Sequence, residues 1–499
     1  MKLLNKIFCF ICFAISINGI AQNNELGALL NQDARNQPLL NGTDSLKSFT
    51  IQSTEISSIG KRPFFYWKPL PISFINQYNS HHPYGYNDGS MIPANGYQSK
   101  ISAGLFAKAG PLQIQLQPEY IYASNIKYEH NDLYGSSNNR AYKKLFPGQS
   151  NISLSFRALS IGISTQNLWW GPGITSALIM SNNAPGFEHV YFKTTRPIKT
   201  PIGSFEFQLI GGRLQNDTAM PYENTHLKIN STLINNPRYS NAYILSYHPK
   251  WVPGLFLGIN RSLNRYEKDL NIGTSSFFSK YLPILSKTMQ KKNDWGDDTL
   301  QTDQLGSFFV RWVMPKSKAE LYVEYGFNDY GANTRDYLMA PTHSSAHVIG
   351  FKKLKTLNNS AYLDFNVEIT QLSESPDAIL RGAGNWYEHG TIGQGYTNYN
   401  QILGAGAGYG SNKQIISTIW IKGYTKLGIL FERTDRDPEF HSNKWIDLSL
   451  GLLPQVKYKN YIIGAALQFI NSANYGWEKD LNKLNFHSKI SIQYLFFSK

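Results

Sequence analysis

Apolar and polar residues alternate with a period of two along much of this chain, the pattern of strands that present one apolar and one polar face. Leu112-Gln113-Ile114-Gln115-Leu116-Gln117 alternates strictly. Leu363, Phe365, Val367 and Ile369 interleave with Tyr362, Asp364, Asn366, Glu368 and Thr370, and Ile152, Leu154 and Phe156 interleave with Ser153, Ser155 and Arg157. Similar strands are predicted around 101–107, 204–212, 243–248, 307–313, 320–325, 427–432, 446–452 and 461–469. No later segment has the ~20 consecutive apolar residues of a membrane-crossing helix, and mean hydropathy is negative. Membrane-crossing strands escape such averages, because lipid-facing apolar residues alternate with lumen-facing polar ones. A soluble sandwich also alternates, so the two termini and the composition must separate the folds.

At the N-terminus, Lys2 and Lys6 precede an apolar run from Ile7 to Ile17, and Gly19-Ile20-Ala21 supplies the small residues that a signal peptidase reads. The run is too short to span a bilayer, so cleavage before Gln22 and export are expected. Both cysteines, Cys9 and Cys12, lie in this leader, and neither follows the small residues that lipid modification requires. The exported chain is therefore free of cysteine, which suits a large barrel that closes its own hydrogen-bond ladder better than a small disulfide-stapled domain. At the other end, Ile490, Ile492, Tyr494 and Phe496 alternate with Ser491, Gln493 and Leu495, and an aromatic near the last residue usually marks bacterial barrels for assembly. Aromatic residues make up 14% of the chain, enough for girdles at both membrane interfaces. These features predict an all-β, transmembrane antiparallel β-barrel of the bacterial outer membrane. With ~9–11 residues per membrane strand plus turns, the length suits about 16–18 strands.

The expected organisation is a signal peptide over 1–21, a periplasmic N-terminal segment over 22–60, and the barrel over 61–499, entered near Phe64. Leu26, Leu29 and Leu30 have helical spacing within the second segment, whose alternative is a disordered arm. Long loops are expected near 131–150 and 262–305, facing outward. Phe277, Phe278, Tyr281, Leu282 and Leu285 in the second would form one face of an amphipathic lid helix interrupted by Pro283.

Several blocks carry a resemblance. Gln166-Asn167-Leu168-Trp169-Trp170-Gly171-Pro172-Gly173 is followed by Ser181-Asn182-Asn183-Ala184-Pro185. Upstream are His82-Pro83-Tyr84-Gly85-Tyr86-Asn87-Asp88-Gly89, Met91-Ile92-Pro93-Ala94-Asn95-Gly96-Tyr97-Gln98 and Pro118-Glu119-Tyr120. Downstream are Glu320-Leu321-Tyr322-Val323-Glu324-Tyr325-Gly326 with Asp329, Gly395-Tyr396-Thr397-Asn398, and Leu403-Gly404-Ala405-Gly406. Taken together, over about residues 60 to 410, the chain resembles the Bacteroidetes-type members of the Wzi family of outer-membrane capsule-assembly proteins. That resemblance implies an eighteen-stranded barrel with lectin-like behaviour that holds secreted polysaccharide at the cell surface. The region before Pro63 is short beside the periplasmic helical bundle of enterobacterial members, and 215–305 matches none of these blocks.

For carbohydrate contact, the candidates are Asn167, Trp169, Trp170, Asn182, Asn183, Glu324, Asp329, Tyr396 and Asn398. Two indoles can offer flat apolar faces to a sugar ring while neighbouring amides bind hydroxyls. The alternative is that they pack at a tight turn fixed by Pro172 and its glycines. Glu320 and Glu324 share a strand face, but a glycosidase needs a defined carboxylate separation and one raised pKa, and lumen carboxylates paired with Arg or Lys explain them more simply. Glu388-His389 and His81-His82 lack the spaced partner set of a zinc site. Asp294, Asp297, Asp298, Asp435, Asp437 and Glu439 lack an EF-hand loop pattern and read as polar loops. Gly404, Gly406, Gly408 and Gly410 alternate with small residues and suit a strand closely approached by other chain or by ligand rather than a nucleotide loop.

Net charge is +14, falling to +12 when Lys2 and Lys6 leave with the leader. In an exported protein this excess points to acidic polysaccharide or lipopolysaccharide phosphate and not to nucleic acid. The reading is therefore a monomeric outer-membrane lectin-like barrel that binds, anchors or assembles capsular or other extracellular polysaccharide, with no covalent chemistry, cofactor or metal. A diffusion porin is the alternative, since it would share the leader, the alternation and the terminal strand. An outer-membrane hydrolase would need a catalytic constellation.

Overall fold

The computed structural model describes residues 24–43, 47–53, 64–129, 133, 139–217, 236–269, 302–328, 342, 344–358, 360–374 and 384–496. Its wall is a closed antiparallel barrel of eighteen strands. In chain order these are β1 (Phe65–Tyr84), β2 (Ala94–Ala109), β3 (Leu112–Leu116 and Glu119–Ala123), β4 (Tyr142–Phe146 and Asn151–Phe156), β5 (Leu159–Ser164) and β6 (Glu188–Thr194 and Ile198–Thr200). They continue as β7 (Gly203–Leu214), β8 (Arg238–Pro249), β9 (Leu255–Tyr266), β10 (Asp303–Met314), β11 (Ala319–Asn328) and β12 (Ser345–Thr356). The last six are β13 (Tyr362–Gln371), β14 (Asn412–Lys422), β15 (Thr425–Arg436), β16 (Trp445–Tyr458), β17 (Tyr461–Ala473) and β18 (Lys483–Tyr494). The terminal strands close the ring, with Ile72 opposite Tyr494 and Asn79 opposite His487.

The alternation read from the sequence is the partition between lumen and lipid. On β13, Asp364, Asn366, Glu368 and Thr370 are buried toward the lumen, while Ile369 is exposed on the outer face. On β3, Gln113 and Gln115 face inward and Leu116 outward. Hydrocarbon offers a peptide group no water, so the closed ladder supplies every strand with partners and the polar faces turn to the interior. Exposed aromatics form two bands on the outer face: Phe65, Trp67, Trp312, Tyr458 and Tyr461 near one end, Tyr78, Tyr97 and Tyr120 near the other. Trp67 and Tyr78 lie eleven positions apart on β1. At ~3.3 Å per residue and a tilt of ~40° that is roughly 28 Å, close to the ~25 Å apolar band of such barrels.

The two ends differ. Both strand termini of the chain and the short connections lie at one end, the periplasmic side in barrels of this kind. Gly423 (φ 57°) makes one of these connections, in a left-handed conformation that suits two-residue hairpins. Two boundaries differ from expectation: β4 begins at Tyr142, within the loop expected over 131–150, and β9 runs on to Tyr266, within that expected over 262–305. Lys143 and Lys144 hid the first of these strands by making it read as polar. The leader, the lid-helix residues 277–285, Asp294, Asp297, Asp298 and Asp329 lie outside the described residues.

One helix, α1 (Asn24–Asn41), sits inside the short-turn end of the lumen. The side chains of Leu26, Leu29 and Leu30 are outside the described residues. Leu39 packs with Phe256, Val313, Leu354, Tyr362 and Ile421 from the surrounding wall. Arg35 binds Glu320 together with Arg311, whose Nη2 lies 2.8 Å from that carboxylate. Asn36 Nδ2 donates to Asp364 Oδ2 at 2.9 Å, and Lys352 Nζ lies 2.8 Å from the same oxygen. Each of these buried carboxylates therefore has a countercharge, Glu320 from two arginines and Asp364 from Lys352, as a low-dielectric interior requires.

Leu450 lies mid-strand on β16 and faces lipid, with 59% of its surface exposed. Leu450→Arg is expected to destabilise folding into bilayers by roughly 2–4 kcal/mol, measured by urea titration in phospholipid vesicles. Ser449→Ala, which faces the lumen and loses one hydrogen bond from Gln468, is expected to cost about 1 kcal/mol.

Candidate functional site

The lumen is occupied by the chain itself. After Ser164 the chain leaves the wall, crosses the interior as residues 165–187, and rejoins the wall at Glu188. Residues 384–411, between β13 and β14, enter as a second inward segment. The two interlock through Ser181 N donating to Leu403 O (2.8 Å), Asn183 Nδ2 to Ile402 O (3.0 Å) and Asn398 Nδ2 to Pro185 O (3.0 Å). Leu168, Trp170, Leu178, Ile179, Met180, Leu403 and Ala405 form an apolar centre within this plug.

Polar wall residues anchor it. Glu368 accepts the backbone N–H groups of Ile174 (2.7 Å) and Thr175 (3.1 Å) and the Tyr322 hydroxyl (2.7 Å). Glu324 accepts Leu178 N (3.2 Å), Ser307 Oγ (2.7 Å) and Asn260 Nδ2 (3.3 Å). From below, Arg35 Nη2 donates to Pro172 O at 2.6 Å, and Ile51–Ser53 pairs antiparallel with Leu168–Trp170. Gly171 (φ 142°) passes so near the wall that a Cβ there would lie 2.7 Å from Glu324 Oε2, which is why the turn carries glycine.

The candidates from the sequence come together in this plug rather than on an open surface. Trp170 is fully buried and donates Nε1 to Gln208 Oε1 (3.2 Å); Trp169 is 7% exposed and donates Nε1 to Gly173 O (3.2 Å). Of the two readings offered for the indoles, packing at a tight turn describes what these bonds hold in place. Asn167 is buried between Gln149 and the carbonyl of Ala184. Tyr396 is buried and stacks on Tyr387 at 6.0 Å, and Asn398 is fully buried. Asn182 and Asn183 are only half-buried and lie at the outer edge of the plug.

Other pairs resolve individually. Glu320 is held by two arginines and Glu324 by hydroxyl, amide and backbone donors, so the two carboxylates on one face have separate partners. His389 Nδ1 accepts Ile392 N at 3.1 Å, and His82 packs on Tyr475 at 4.7 Å. Asp435 pairs with Arg433 at 3.0 Å, and Asn385 Nδ2 donates to Asp437 at 3.1 Å. Among the described residues no three His, Cys, Asp or Glu side chains gather as a metal site would require. Gly404 to Gly410 follow turns and bends, not the strand that alternation suggested. Their smallness serves close approach by other chain, since a Cβ on Gly406 would lie 2.7 Å from Asn183 Oδ1.

Above the plug, at the long-loop end, is a cavity of about 80 Å³ lined by Tyr84, Tyr86, Asn183, Tyr409, Lys413 and Arg436, among others. Tyr84 and Tyr86 both donate their hydroxyls to Glu432 at 2.6 Å. Lys413 Nζ lies 3.0 Å from the same carboxylate and 3.0 Å from the Tyr86 ring centroid. Arg436 bridges Asp447 (3.0 Å) and the carbonyl of Ala407 (3.2 Å). Phenols, amides and paired cations in one concavity can hydrogen-bond a sugar hydroxyl, though the volume of the concavity is well below the ~300 Å³ of a pocket that encloses a whole ligand. Sequence reasoning noted Tyr84 and Tyr86 only within a block of resemblance. Lys413 lies at the start of β14 and Arg436 closes β15, side by side at one end of the hairpin but distant in sequence, so they have no linear signal.

The family profile for capsule assembly protein Wzi matches residues 79–477, well over half of the chain. The chain belongs to the Wzi family. That family is described by an assembly role and not by an enzyme activity, and with the barrel fold it places the protein in the outer membrane. The Wzi barrel of Escherichia coli, described as a carbohydrate-binding β-barrel involved in group 1 capsule assembly, is similar in fold: TM-score 0.59, 12% identity, 85% of each chain covered. OpdQ of Pseudomonas aeruginosa (TM-score 0.45, 9% identity, 86% of this chain and 97% of that one) and OccAB3 of Acinetobacter baumannii (0.44, 9%, 86% and 98%) are also similar. No curated protein matches the chain in sequence.

In this Wzi-family barrel the plug depends on Glu368. Glu368→Ala leaves two backbone N–H groups and a tyrosine hydroxyl without their acceptor, at ~1–3 kcal/mol each. A loss of roughly 3 kcal/mol or more is expected, read as a lower thermal midpoint, together with ionic conductance in planar bilayers above that of the unsubstituted protein.

Proposed function

We propose that this protein is a lectin-like barrel that binds and anchors capsular or other extracellular polysaccharide at the cell surface, without covalent chemistry. The observation that carries this reading is the lumen occupied by the chain's own segments beneath an aromatic and amide-lined outer cavity. A diffusion channel needs an open path, whereas a binding protein needs a fixed surface, and the anchored plug supplies the second. Membership of the Wzi family and the carbohydrate binding described for the Escherichia coli barrel support the same role.

In this reading the sequence candidates divide by position. Asn183, with Tyr86, Lys413 and Arg436, meets sugar at the cavity, and Asn182 supports its rim through its carbonyl, which accepts Gly89 N at 2.7 Å. Trp169, Trp170, Asn167, Glu324, Tyr396 and Asn398 hold the plug on which that cavity rests. A monomer in the lipopolysaccharide-bearing membrane, exported through a leader cleaved before Gln22, would gain hold on a long polymer from many weak repeats.

Retention of polymer by a deletion strain tests the role: cell-bound sugar is expected to move to the medium at unchanged total, and unchanged retention would sink the proposal. For the site, Asn183→Ala and Lys413→Gln are each expected to weaken binding of purified protein to immobilised polymer about five-fold, the effect of one hydrogen bond. Wild-type binding by both would remove the cavity from the assignment.

A further inference from the structure

Positive charge is distributed unevenly between the two ends of the barrel. The short connections carry Arg196, Lys199, Lys250, Lys316, Lys355 and Lys422, all exposed. No Asp or Glu occurs in 108–112, 156–159, 195–203, 249–255, 314–319, 353–362, 421–425 or 457–462, so these cations have no local countercharge. At the long-loop end the signs are mixed and paired, as in Lys483 with Glu129 (2.8 Å), Lys144 with Asp217 (2.7 Å) and Arg213 with Glu267 (2.9 Å).

The cations also have a defined radial position. Lys457 Nζ lies 4.7 Å from the Tyr424 ring centroid, Lys459 Nζ 5.3 Å from that of Tyr458, and the Arg157 guanidinium 5.4 Å from that of Phe156. Tyr458 and Phe156 are 61% and 72% exposed on the lipid-facing side. The basic groups therefore stand just beyond the aromatic band, at the radius where the wall meets the bilayer surface rather than over the lumen. Aromatic rings at the interface with Lys and Arg immediately outside them match a bilayer's layering of acyl chain, glycerol region and headgroup phosphate.

We infer that this ring of Lys and Arg binds the anionic headgroups of phospholipids in the periplasmic leaflet. The ring follows the wall from the β2–β3 turn to the β16–β17 turn, as a surrounding leaflet does. A docked acidic protein would need one concentrated patch. An acidic polymer passing along the barrel axis would meet α1 and the Lys426–Asp33 pair (3.1 Å) instead of these outward groups.

The lipid-facing tryptophans provide the reporter, because Trp67, Trp251 and Trp312 (48%, 69% and 46% exposed) all lie at this end. Full-length mature protein is reconstituted in phosphatidylcholine vesicles containing either brominated phosphatidylglycerol or brominated phosphatidylcholine, and tryptophan quenching gives relative association constants. About five-fold preference for the anionic lipid is expected at low salt, the effect of one cation near an anionic surface. It should fall toward one at about 1 M salt, where the Debye length is ~3 Å. The combined variant R157Q, R196Q, K199Q, K250Q, K316Q, K355Q, K422Q, K457Q, K459Q should lose most of the preference. Equal quenching by both lipids at low salt overturns the inference, as does a preference that salt leaves unchanged or that survives in a folded variant. Salt-sensitive binding of polygalacturonate to the protein in neutral vesicles, lost in the same variant, would overturn it in favour of an acidic polymer. The salt titration of the unsubstituted protein decides the matter if the variant does not fold.

Discussion

Water is absent from the hydrocarbon layer, and every later feature of this molecule follows from that constraint. A strand there must find all its partners in neighbouring strands, so the sheet closes and its polar face turns inward. The inward face then presents a new problem, since Glu320, Glu324, Asp364 and Glu368 are all buried. A buried carboxylate is stable only when charge or several donors surround it. The chain meets this need with its own segments. Arg35 and Asn36 come from α1, and the amides of Ile174, Thr175 and Leu178 come from the inward excursion between β5 and β6. Wall and plug thus complete each other, and neither is satisfied alone.

How much of this could be read from the sequence depends on the range of the interaction. Alternation is local, so strands such as 362–370 and 112–117 and the inward direction of Glu368 or Gln115 were legible. Strand ends were less so: the outer part of β4 carries the exposed Lys143 and the half-buried Lys144, which pairs with Asp217, so it reads as polar. The plug was not legible at all. Residues 165–187 have the glycine, proline and amide content of a surface turn, and only contacts such as Leu178 with Glu324, 146 positions apart, show that they lie inside. A motif rich in tryptophan and asparagine resembles a sugar platform when its surroundings are unknown, because the same side chains serve packing and hydrogen bonding within a protein.

Trp169, Trp170 and the Gly-Pro-Gly turn, on which the resemblance rested most, lie in the plug beneath the cavity. Their geometry is constrained from several directions at once: the Glu324 side chain against Gly171, Gln208 on the Trp170 indole, Arg35 on the carbonyl of Pro172. The cavity residues are constrained less tightly, through a few side-chain pairs around Glu432 and Asp447. Such an arrangement separates two tasks. The plug fixes a floor, and the cavity above it is walled by strand residues of β1, β14 and β15.

The overall charge requires a similar separation. Read as a single number, the excess of +14 over the whole sequence points to an acidic ligand at the cell surface. Placed on the fold, much of that excess stands on the turns opposite the outer cavity, where no carboxylate accompanies it. Around the cavity, Lys413 and Arg436 are already matched by Glu432 and Asp447. Screening confines the influence of exposed charges to about 8 Å at physiological salt, whereas roughly 25 Å of apolar band separates the two ends. Net charge therefore cannot act on a surface polymer through the barrel, and the cavity cations, each matched by a carboxylate, add no net positive charge of their own.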